Sequence, residues 1–530
     1  MQPLLTICKL GVLVRNKFIN NHSSNLRAPV DSGLEVLGKK SALGAIYNSL
    51  ERQRLDAPKC HPNTRKAVIK KIIDWIRGII DSETLIMWLY GAAGAGKSAI
   101  AHTLAEICET CGWLVASFFF WKTAGERNNA NRFVATIAHQ VALAIPASRE
   151  LIAAAVDYNP FIFEQSIDVQ FSKLIIEPLE YLVSAGIIFD ISPLVIIIDG
   201  LDECQGGDVQ SGIVKSLVAA FRHSSLRIRI LVASRPEVHL QSTFNPTSMQ
   251  PHFSRLALSD EYSPDEDIYR FLEDSFDMIR REHPLASYIP FSWPSTDVLR
   301  ELTRKSSGQF IFASTTIKYI GGDPRQLPHH RLDVIRSLRS PKGEKDMPYA
   351  ELNSLYHHVL CNIDDIDAVK QILGVLIIVK PTAVCTIYTP EDVDDFLFWE
   401  RGETKAYLSQ LASVIECGTV GNISILHASL SDFLLDPSRS HQFYLSRESV
   451  LGDSAALGLR HMRQQECDQN GMSILPSWKF LRVLTRNTFY RSFLQLQFRH
   501  PEVHCSWTTL HASSSRGAES TIISDSLQRL

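Results

Sequence analysis

The sequence predicts an α/β fold in which a doubly wound parallel sheet is followed by helical regions. Four short apolar runs, separated by helical patterns, indicate parallel strands that are covered on both faces. They are residues 85–90, 114–120, 194–198 and 228–233. A glycine-rich turn follows the first run, and acidic residues follow the third. Because ligands bind beyond the carboxyl ends of parallel strands, we expect both features at one edge of the sheet.

Composition and charge limit the class of protein. The chain has 530 residues, a length that favours roughly three or four domains. Its composition, 45% hydrophobic and 21% charged, is typical of globular proteins. The net charge of −3 argues against a protein that coats nucleic acid by bulk charge. No run of 18 apolar residues occurs, so we expect no membrane span. Ten irregularly spaced cysteines are too sparse for a disulfide scaffold and favour a reduced, cytoplasmic protein.

The pattern along the chain divides it into five regions. Residues 1–57 are predicted to be a variable, partly helical segment, and residues 58–259 contain the four predicted strands. A helical pattern without comparable strands predicts a helical domain at residues 260–349. Helices mixed with short alternating runs predict a winged-helix domain at residues 350–445. Residues 446–530 are expected to form a short C-terminal helical extension with a polar tail.

One motif decides the chemistry of residues 58–259. The eight residues after the first predicted strand match G-x-x-x-x-G-K-[ST] at every position. They are Gly91, Ala92, Ala93, Gly94, Ala95, Gly96, Lys97 and Ser98. Small residues let successive backbone N–H groups point at a phosphate chain, and the following helix adds its N-terminal dipole. In such a P-loop, Lys97 contacts the β- and γ-phosphates and Ser98 binds Mg²⁺, so ATP, ADP and Mg²⁺ are the expected ligands.

A second element supplies acids about 100 residues further on. Asp199 ends the apolar run at residues 194–198, and Asp202 and Glu203 follow it. At the carboxyl edge of the sheet, Asp199 is expected to hold Mg²⁺, through water, together with Ser98. Asp202 or Glu203 would orient or deprotonate the attacking water. The alternative is a loop of solvated acids without a catalytic role.

A third element follows the neighbouring strand. Arg235 comes directly after the run at residues 228–233 and its Ser234. A cation at this strand tip can sense the γ-phosphate of a bound nucleotide, and this is the role that we predict for Arg235. The alternative is an arginine that pairs with a neighbouring acid.

Together these motifs resemble the NACHT class of STAND P-loop NTPases. Three segments carry the resemblance: the Walker A sequence at 91–98, the Walker B sequence I-I-I-D-G-L-D-E at 196–203, and V-A-S-R-P at 232–236. Gly200, followed by acids at two and three positions further on, is the variant typical of NACHT proteins. The resemblance covers roughly residues 40–445 and extends to fungal NOD-like-receptor-type proteins, whose first part is called nephrocystin-like.

The resemblance implies a nucleotide-dependent signalling switch with slow ATP hydrolysis at most. In such proteins ADP holds a closed monomer, and exchange for ATP opens it and permits self-oligomerisation. The implied setting is fungal non-self recognition or cell-death signalling through a protein effector of unknown identity. The His-x-Ser motif at His427 implies that this imidazole contacts the ADP β-phosphate in the closed state. The alternative is a histidine that caps or packs within the winged helix.

Two positions depart from the pattern of the family. Leu430 stands where the motif after His427 usually has Phe, and residues 308–310 lack a proline that would pack on adenine.

Two other functions stay open. No WD, ankyrin or tetratricopeptide repeat is recognisable, which leaves a degenerate nucleotide-binding remnant as one alternative. The other is a DNA-remodelling winged-helix ATPase. Residues 351–445 hold five Lys or Arg against 13 Asp or Glu, so we expect no nucleic-acid partner.

Overall fold

The computed structural model describes most of residues 31–467. The gaps within this range are residues 55–56, 188–192, 223, 225, 246–251, 259–263, 339–348, 380–388 and 418–422. The predicted polar tail, like the rest of residues 468–530, lies outside the described part of the chain.

A five-stranded parallel sheet forms the centre of the first half of the chain. The strands are β1 (Ile86–Tyr90), β2 (Leu114–Phe119), β3 (Leu194–Asp199), β4 (Ile228–Ser234) and β5 (Phe253–Ala257). Their order is β2-β3-β4-β1-β5, and every neighbouring pair is parallel. The first four are the predicted strands, shifted by at most one residue at each end. The strand β5 was not predicted, because Ser254 and Arg255 interrupt its apolar run.

The register of the strands brings their carboxyl ends to one level. Tyr90 at the end of β1 pairs with Ser234 at the end of β4. On the other side of β4, Ile198 of β3 pairs with Val232. Asp199 in turn pairs with Phe119 of β2. The segments that follow β1, β2, β3 and β4 therefore all start at the same edge of the sheet.

Helices cover both faces of this sheet, as the predominantly apolar strands require. They are α1 (Asp31–Lys40), α2 (Leu50–Arg54), α3 (Lys66–Ile76), α4 (Lys97–Thr110), α5 (Phe133–Ala144), α6 (Arg149–Tyr158), α7 (Ile167–Phe171), α8 (Glu177–Ser184), α9 (Gly207–Phe221) and α10 (Val238–Phe244). Side chains alternate along each strand. Ile196 and Ile198 of β3 belong to one core, and Val195 and Ile197 belong to the other. We call residues 31–258 the α/β unit.

Residues 264–467, which we call the C-terminal unit, are mainly helical. The helices are α11 (Pro264–Glu282), α12 (Thr296–Ser306), α13 (Phe310–Gly321), α14 (Pro328–Ser337), α15 (Ala350–Cys361), α16 (Ile366–Gly374), α17 (Pro390–Leu397), α18 (Glu403–Ser409), α19 (Ala428–Leu434), α20 (Pro437–Ser440) and α21 (Arg447–Cys467). The strands β6 (Ile415–Cys417) and β7 (Ile423–Ile425) form an antiparallel pair that precedes α19. One hydrophobic core, with Leu302, Leu355 and Phe433 among its members, joins the predicted helical and winged-helix regions.

No helix in the described part of the chain combines the length and the apolar character that crossing a membrane requires.

Candidate nucleotide-binding site

The glycine-rich loop at residues 91–98 connects β1 to α4 at the carboxyl edge of the sheet. Gly94 and Gly96 both have left-handed backbone conformations, with φ of 78° and 91°. At Gly94 a side chain is also excluded by contact, because a Cβ atom would lie 2.2 Å from Cγ2 of Ile311 in α13. The sequence therefore needs glycine here both to turn the loop and to let the C-terminal unit pack against it.

Lys97 is held against the start of this loop. Its ammonium group donates to the carbonyl oxygens of Gly91 and Ala92, both at 2.9 Å. Burial lowers the pKa of Lys97, although the nearby carboxylate of Asp202 acts in the opposite direction. Lys97 is also the first residue of the 14-residue helix α4, whose N-terminal N–H groups and dipole attract anions. The loop, the lysine and the helix together make a site with the charge and donors that a phosphate chain requires.

Asp199 is the buried acid at the end of β3. The residue is 4% exposed, and among the described residues its Oδ1 atom has no hydrogen-bond partner. Burial raises the pKa of Asp199 to about 6. The Ser98 side chain lies next to the carboxylate and acts to lower the pKa of Asp199. A carboxylate oxygen without a partner, next to a hydroxyl, fits the oxygen ligands that Mg²⁺ prefers, and Ser98 and Asp199 are the residues that would hold it.

The two other predicted acids follow a tight turn at Gly200 and have different partners. Asp202 accepts a hydrogen bond from the Arg235 amide at 2.9 Å, and its other oxygen lies 3.1 Å from Arg235 Nε. Glu203 accepts a hydrogen bond from the Lys122 amide at 3.0 Å. Burial, together with the charge of Asp202, raises the pKa of Glu203 to about 7. Glu203 therefore has the pKa that suits a general base near neutral pH, whereas Asp202 is engaged by Arg235.

Arg235 contacts acids on two sides. Besides Asp202, its guanidinium forms an ion pair with Asp432 of α19, in the C-terminal unit. The second oxygen of Asp432 lies 3.2 Å from Nζ of Lys122, which follows β2. Burial opposes the charge of Arg235, but the carboxylates of Asp432 and Asp202 raise its pKa above the usual value. The pairing with acids that the sequence left open as an alternative is thus present, with a sequence-distant partner that sequence reasoning missed.

His427 caps the helix α19, and the charge of Lys97 in the P-loop acts on its imidazole. Its Nδ1 accepts a hydrogen bond from the Ser429 amide at 3.0 Å, so the proton of the neutral imidazole is on Nε2. Burial, followed by the charges of Arg235 and Lys97, lowers the pKa of His427 to about 4. The ring is therefore neutral at pH 7 and has one N–H group to donate. Leu430, where an aromatic residue was expected, is buried in the core of the C-terminal unit.

Two further residues connect the loop to the C-terminal unit. The Tyr349 hydroxyl, next to the start of α15, accepts a hydrogen bond from the Ala93 amide at 3.1 Å. Arg65 donates to the Ala95 carbonyl at 2.8 Å, and its guanidinium lies 4.8 Å from the ring centre of Phe310. Phe310 belongs to the segment that lacks the expected proline. Tyr349 has no motif around it that could have marked it in the sequence.

Residues 65–235 match the family model described as Nephrocystin 3, N-terminal. No curated protein matches the sequence. Together with the strand–loop–helix arrangement at residues 86–110 and the parallel sheet, the family match supports a P-loop NTPase domain in this part of the chain. The match covers about a third of the 530 residues.

Three solved structures are similar to this chain, each at low sequence identity and with a TM-score below 0.5. A Signal Transduction ATPase with Numerous Domains (STAND) protein with a tetratricopeptide repeat sensor, from Pyrococcus horikoshii, is 12% identical, with a TM-score of 0.39 over 84% of this chain. This chain spans 51% of that protein. C. elegans PCH-2 is 11% identical, with a TM-score of 0.32 over 59% of this chain and 74% of its own. Drosophila ORC bound to poly(dA/dT) DNA and Cdc6 is 11% identical, with a TM-score of 0.25 over 83% of this chain and 68% of the matched one.

Proposed function

We propose that this protein is a NACHT-type signalling switch that binds ATP and ADP with Mg²⁺ at residues 91–98 and hydrolyses ATP slowly. One observation carries the proposal: the C-terminal unit contacts the P-loop itself, through the Tyr349 hydroxyl on the Ala93 amide. A motor or a simple nucleotide-binding domain does not require such a contact. A switch requires such a contact, because the bound nucleotide must change the free energy of docking between the two units.

The residues at the sheet edge have distinct roles in this proposal. Lys97 neutralises the β- and γ-phosphates, and the amides of the loop and of α4 bind their oxygens. Ser98 and Asp199 hold Mg²⁺, which supplies further positive charge to the phosphates when bound. Glu203 accepts the proton of the attacking water, and its pKa of about 7 leaves much of it ionised at neutral pH. Asp202 positions Arg235, which binds the γ-phosphate.

His427 favours the closed, ADP-bound state. Its Nε2–H group is the donor for a β-phosphate oxygen, and its Nδ1 is fixed by the Ser429 amide. Because His427 belongs to the C-terminal unit, the contact exists only while the two units are docked. A ligand contact that is present in one state alone stabilises that state by the full free energy of the contact.

The C-terminal unit transmits the signal in this proposal. Residues 350–445 form a winged-helix domain that undocks on ATP binding and allows self-oligomerisation. Their excess of acids, 13 against five Lys or Arg, argues against DNA as the partner. The output is fungal non-self recognition or cell-death signalling through a protein effector.

The nucleotide that copurifies with the full chain, together with its turnover, tests the proposal. Denatured protein would be analysed for released nucleotide by ion-exchange chromatography, and hydrolysis would be followed as phosphate release. Bound ADP and a turnover of a few per hour or less support a switch. An empty site that stays empty in millimolar Mg-ATP contradicts the proposal and favours a degenerate remnant. Rapid steady-state hydrolysis contradicts it as well and favours a motor.

A further inference from the structure

The carboxylate of Asp432 lies between two cations at the carboxyl edge of the sheet. Its Oδ1 atom is 3.2 Å from Nζ of Lys122, and its Oδ2 atom forms an ion pair with Nη1 of Arg235. The Asp432 side chain is 20% exposed. Burial alone would raise its pKa, but the two cations lower it below the usual value, so the group is an anion at neutral pH. Each carboxylate oxygen thus has its own cation, as the oxygens of a bound phosphate commonly do.

The two cations lie on opposite sides of the predicted catalytic acids. Lys122 follows β2 and Arg235 follows β4, and β3 lies between these strands in the sheet. The backbone ties them to the acids as well, since the Lys122 amide donates to Glu203 and the Arg235 amide donates to Asp202. A water activated by these acids must attack a phosphorus atom close to them. The position between Lys122 and Arg235 is therefore suited to the terminal phosphate.

We propose that Lys122 and Arg235 together form the terminal-phosphate site and that Asp432 occupies this site in the closed protein. The inference rests on the proposed function and adds Lys122 as a residue that discriminates between nucleoside triphosphates and diphosphates. Two anions cannot share one pair of cations in a partly buried site without strong repulsion. ATP therefore displaces Asp432, and with it α19, whereas ADP leaves the pair of cations to Asp432.

The affinities of Mg-ATPγS and Mg-ADP for the full chain and its variants test this inference. Asp432→Asn removes the competing charge but keeps the shape of the side chain, so ATPγS should bind about tenfold more tightly while ADP binding changes less than twofold. Lys122→Met keeps most of the aliphatic stem and removes the charge, so ATPγS should bind about tenfold more weakly, with ADP again little changed. Lys122→Arg should restore most of the ATPγS affinity.

The double variant and a matched control complete the design. If Asp432 and the phosphate share one site, the gain from Asp432→Asn should shrink about threefold or more in the Lys122→Met background, because one shared cation is gone. Lys59→Met removes an exposed lysine that pairs with Glu106 elsewhere on the α/β unit, and it should leave the ratio of the two affinities unchanged.

Two results would overturn the inference. If Lys122→Met or Asp432→Asn shifts the affinities for ATPγS and ADP equally, neither residue acts on the terminal phosphate. When that happens while Lys97→Ala still weakens both nucleotides, the inference is wrong and the proposed function stands. A parent protein that binds neither nucleotide overturns both this inference and the proposed function.

Discussion

The hydroxyl of Tyr349 accepts a hydrogen bond from the backbone amide of Ala93, which joins the C-terminal unit to the P-loop at 3.1 Å. Tyr349 has a left-handed backbone, with φ of 75°, an uncommon conformation for a bulky residue. Its ring lies beneath the guanidinium of Arg439, 5.3 Å from the ring centre. The phenol thus connects the loop to two elements of the C-terminal unit, α15 and α20.

Tyr349→Phe should weaken the docking of the two units. The change keeps the ring under Arg439 and removes only the hydroxyl, whose net contribution is roughly 0.5–1.5 kcal/mol. ADP should therefore dissociate roughly 2–10-fold faster. The off-rate would be measured by stopped flow, as fluorescently labelled ADP is displaced by an excess of unlabelled ADP. Tyr319→Phe is the matched control, because it removes a hydroxyl that bonds His358 away from the loop. Equal off-rates in parent and Tyr349→Phe would contradict a coupling role.

Lys97→Ala should lower the affinity for both ATP and ADP. The variant removes the cation that lies between the β- and γ-phosphates, and a charge-assisted contact is worth roughly 1.5–3 kcal/mol, so we expect about a 10–100-fold loss. Equilibrium titration with a fluorescent ATP analogue measures it. Unchanged affinity would show that residues 91–98 are not the nucleotide site.

Asp199→Asn should remove the dependence of binding on Mg²⁺. The amide takes the place of a buried carboxylate whose Oδ1 atom has no partner among the described residues, and it is a much weaker ligand for the ion. Affinity in millimolar Mg²⁺ should fall about tenfold, while affinity in EDTA should match the parent. A variant that responds to Mg²⁺ as the parent does would place the metal elsewhere.

Glu203→Gln should abolish most hydrolysis and alter its pH dependence. Burial raises the pKa of Glu203 to about 7, so the carboxyl is protonated below this pH and cannot accept a proton. The rate of the parent should fall by about tenfold for each pH unit below 7 and level off above it. The residual rate of the variant should not fall in this way below pH 7, and the affinity of the variant for ATP should be unchanged. Adding Asp202→Asn should reduce hydrolysis further.

If hydrolysis by the double variant equals that of the parent, neither acid is catalytic. If the variant with only Glu203→Gln keeps the pH step, a different group is the base.

His427→Leu should release ADP faster and favour open or oligomeric protein. Its neutral ring donates one Nε2–H bond in the closed state, and losing about 1.5 kcal/mol shifts the closed-to-open ratio about tenfold. Size-exclusion chromatography with light scattering and ADP off-rates measure the effect. His427→Asn keeps an acceptor for the Ser429 amide and separates helix capping from the phosphate contact. A monomeric His427→Leu variant with the off-rate of the parent would leave His427 as a capping residue.

The sheet and the P-loop could be predicted because their signals are local. Four strands are predominantly apolar runs, in which Ser117 and Arg229 are isolated polar residues, and residues 91–98 form an uninterrupted motif between a strand and a helix. Strand β5 has no such signal, since Ser254 and Arg255 fall within its five residues. It forms because Phe253 and Leu256 pack into the cores and β1 offers an unpaired edge.

The contacts between the two units could not be predicted from sequence patterns. Lys122 follows a predicted strand, so its place at the sheet edge was accessible in principle. Nothing near Asp432 or Tyr349 marks them as partners of residues more than 190 positions away, Arg235 and Ala93. Such pairs depend on how the C-terminal unit packs on the sheet edge. Only the histidine motif, through its family resemblance, pointed to this side of the site.

The proposed switch requires that the bound nucleotide control the docking of the C-terminal unit. Hydrogen–deuterium exchange of the full chain, saturated with either Mg-ADP or Mg-ATPγS, measures this at α19, which carries Asp432 and is capped by His427. We predict that residues 428–434 exchange faster with Mg-ATPγS than with Mg-ADP, and that Lys97→Ala abolishes the difference. Identical exchange of α19 in the two saturated complexes of the parent would contradict the account.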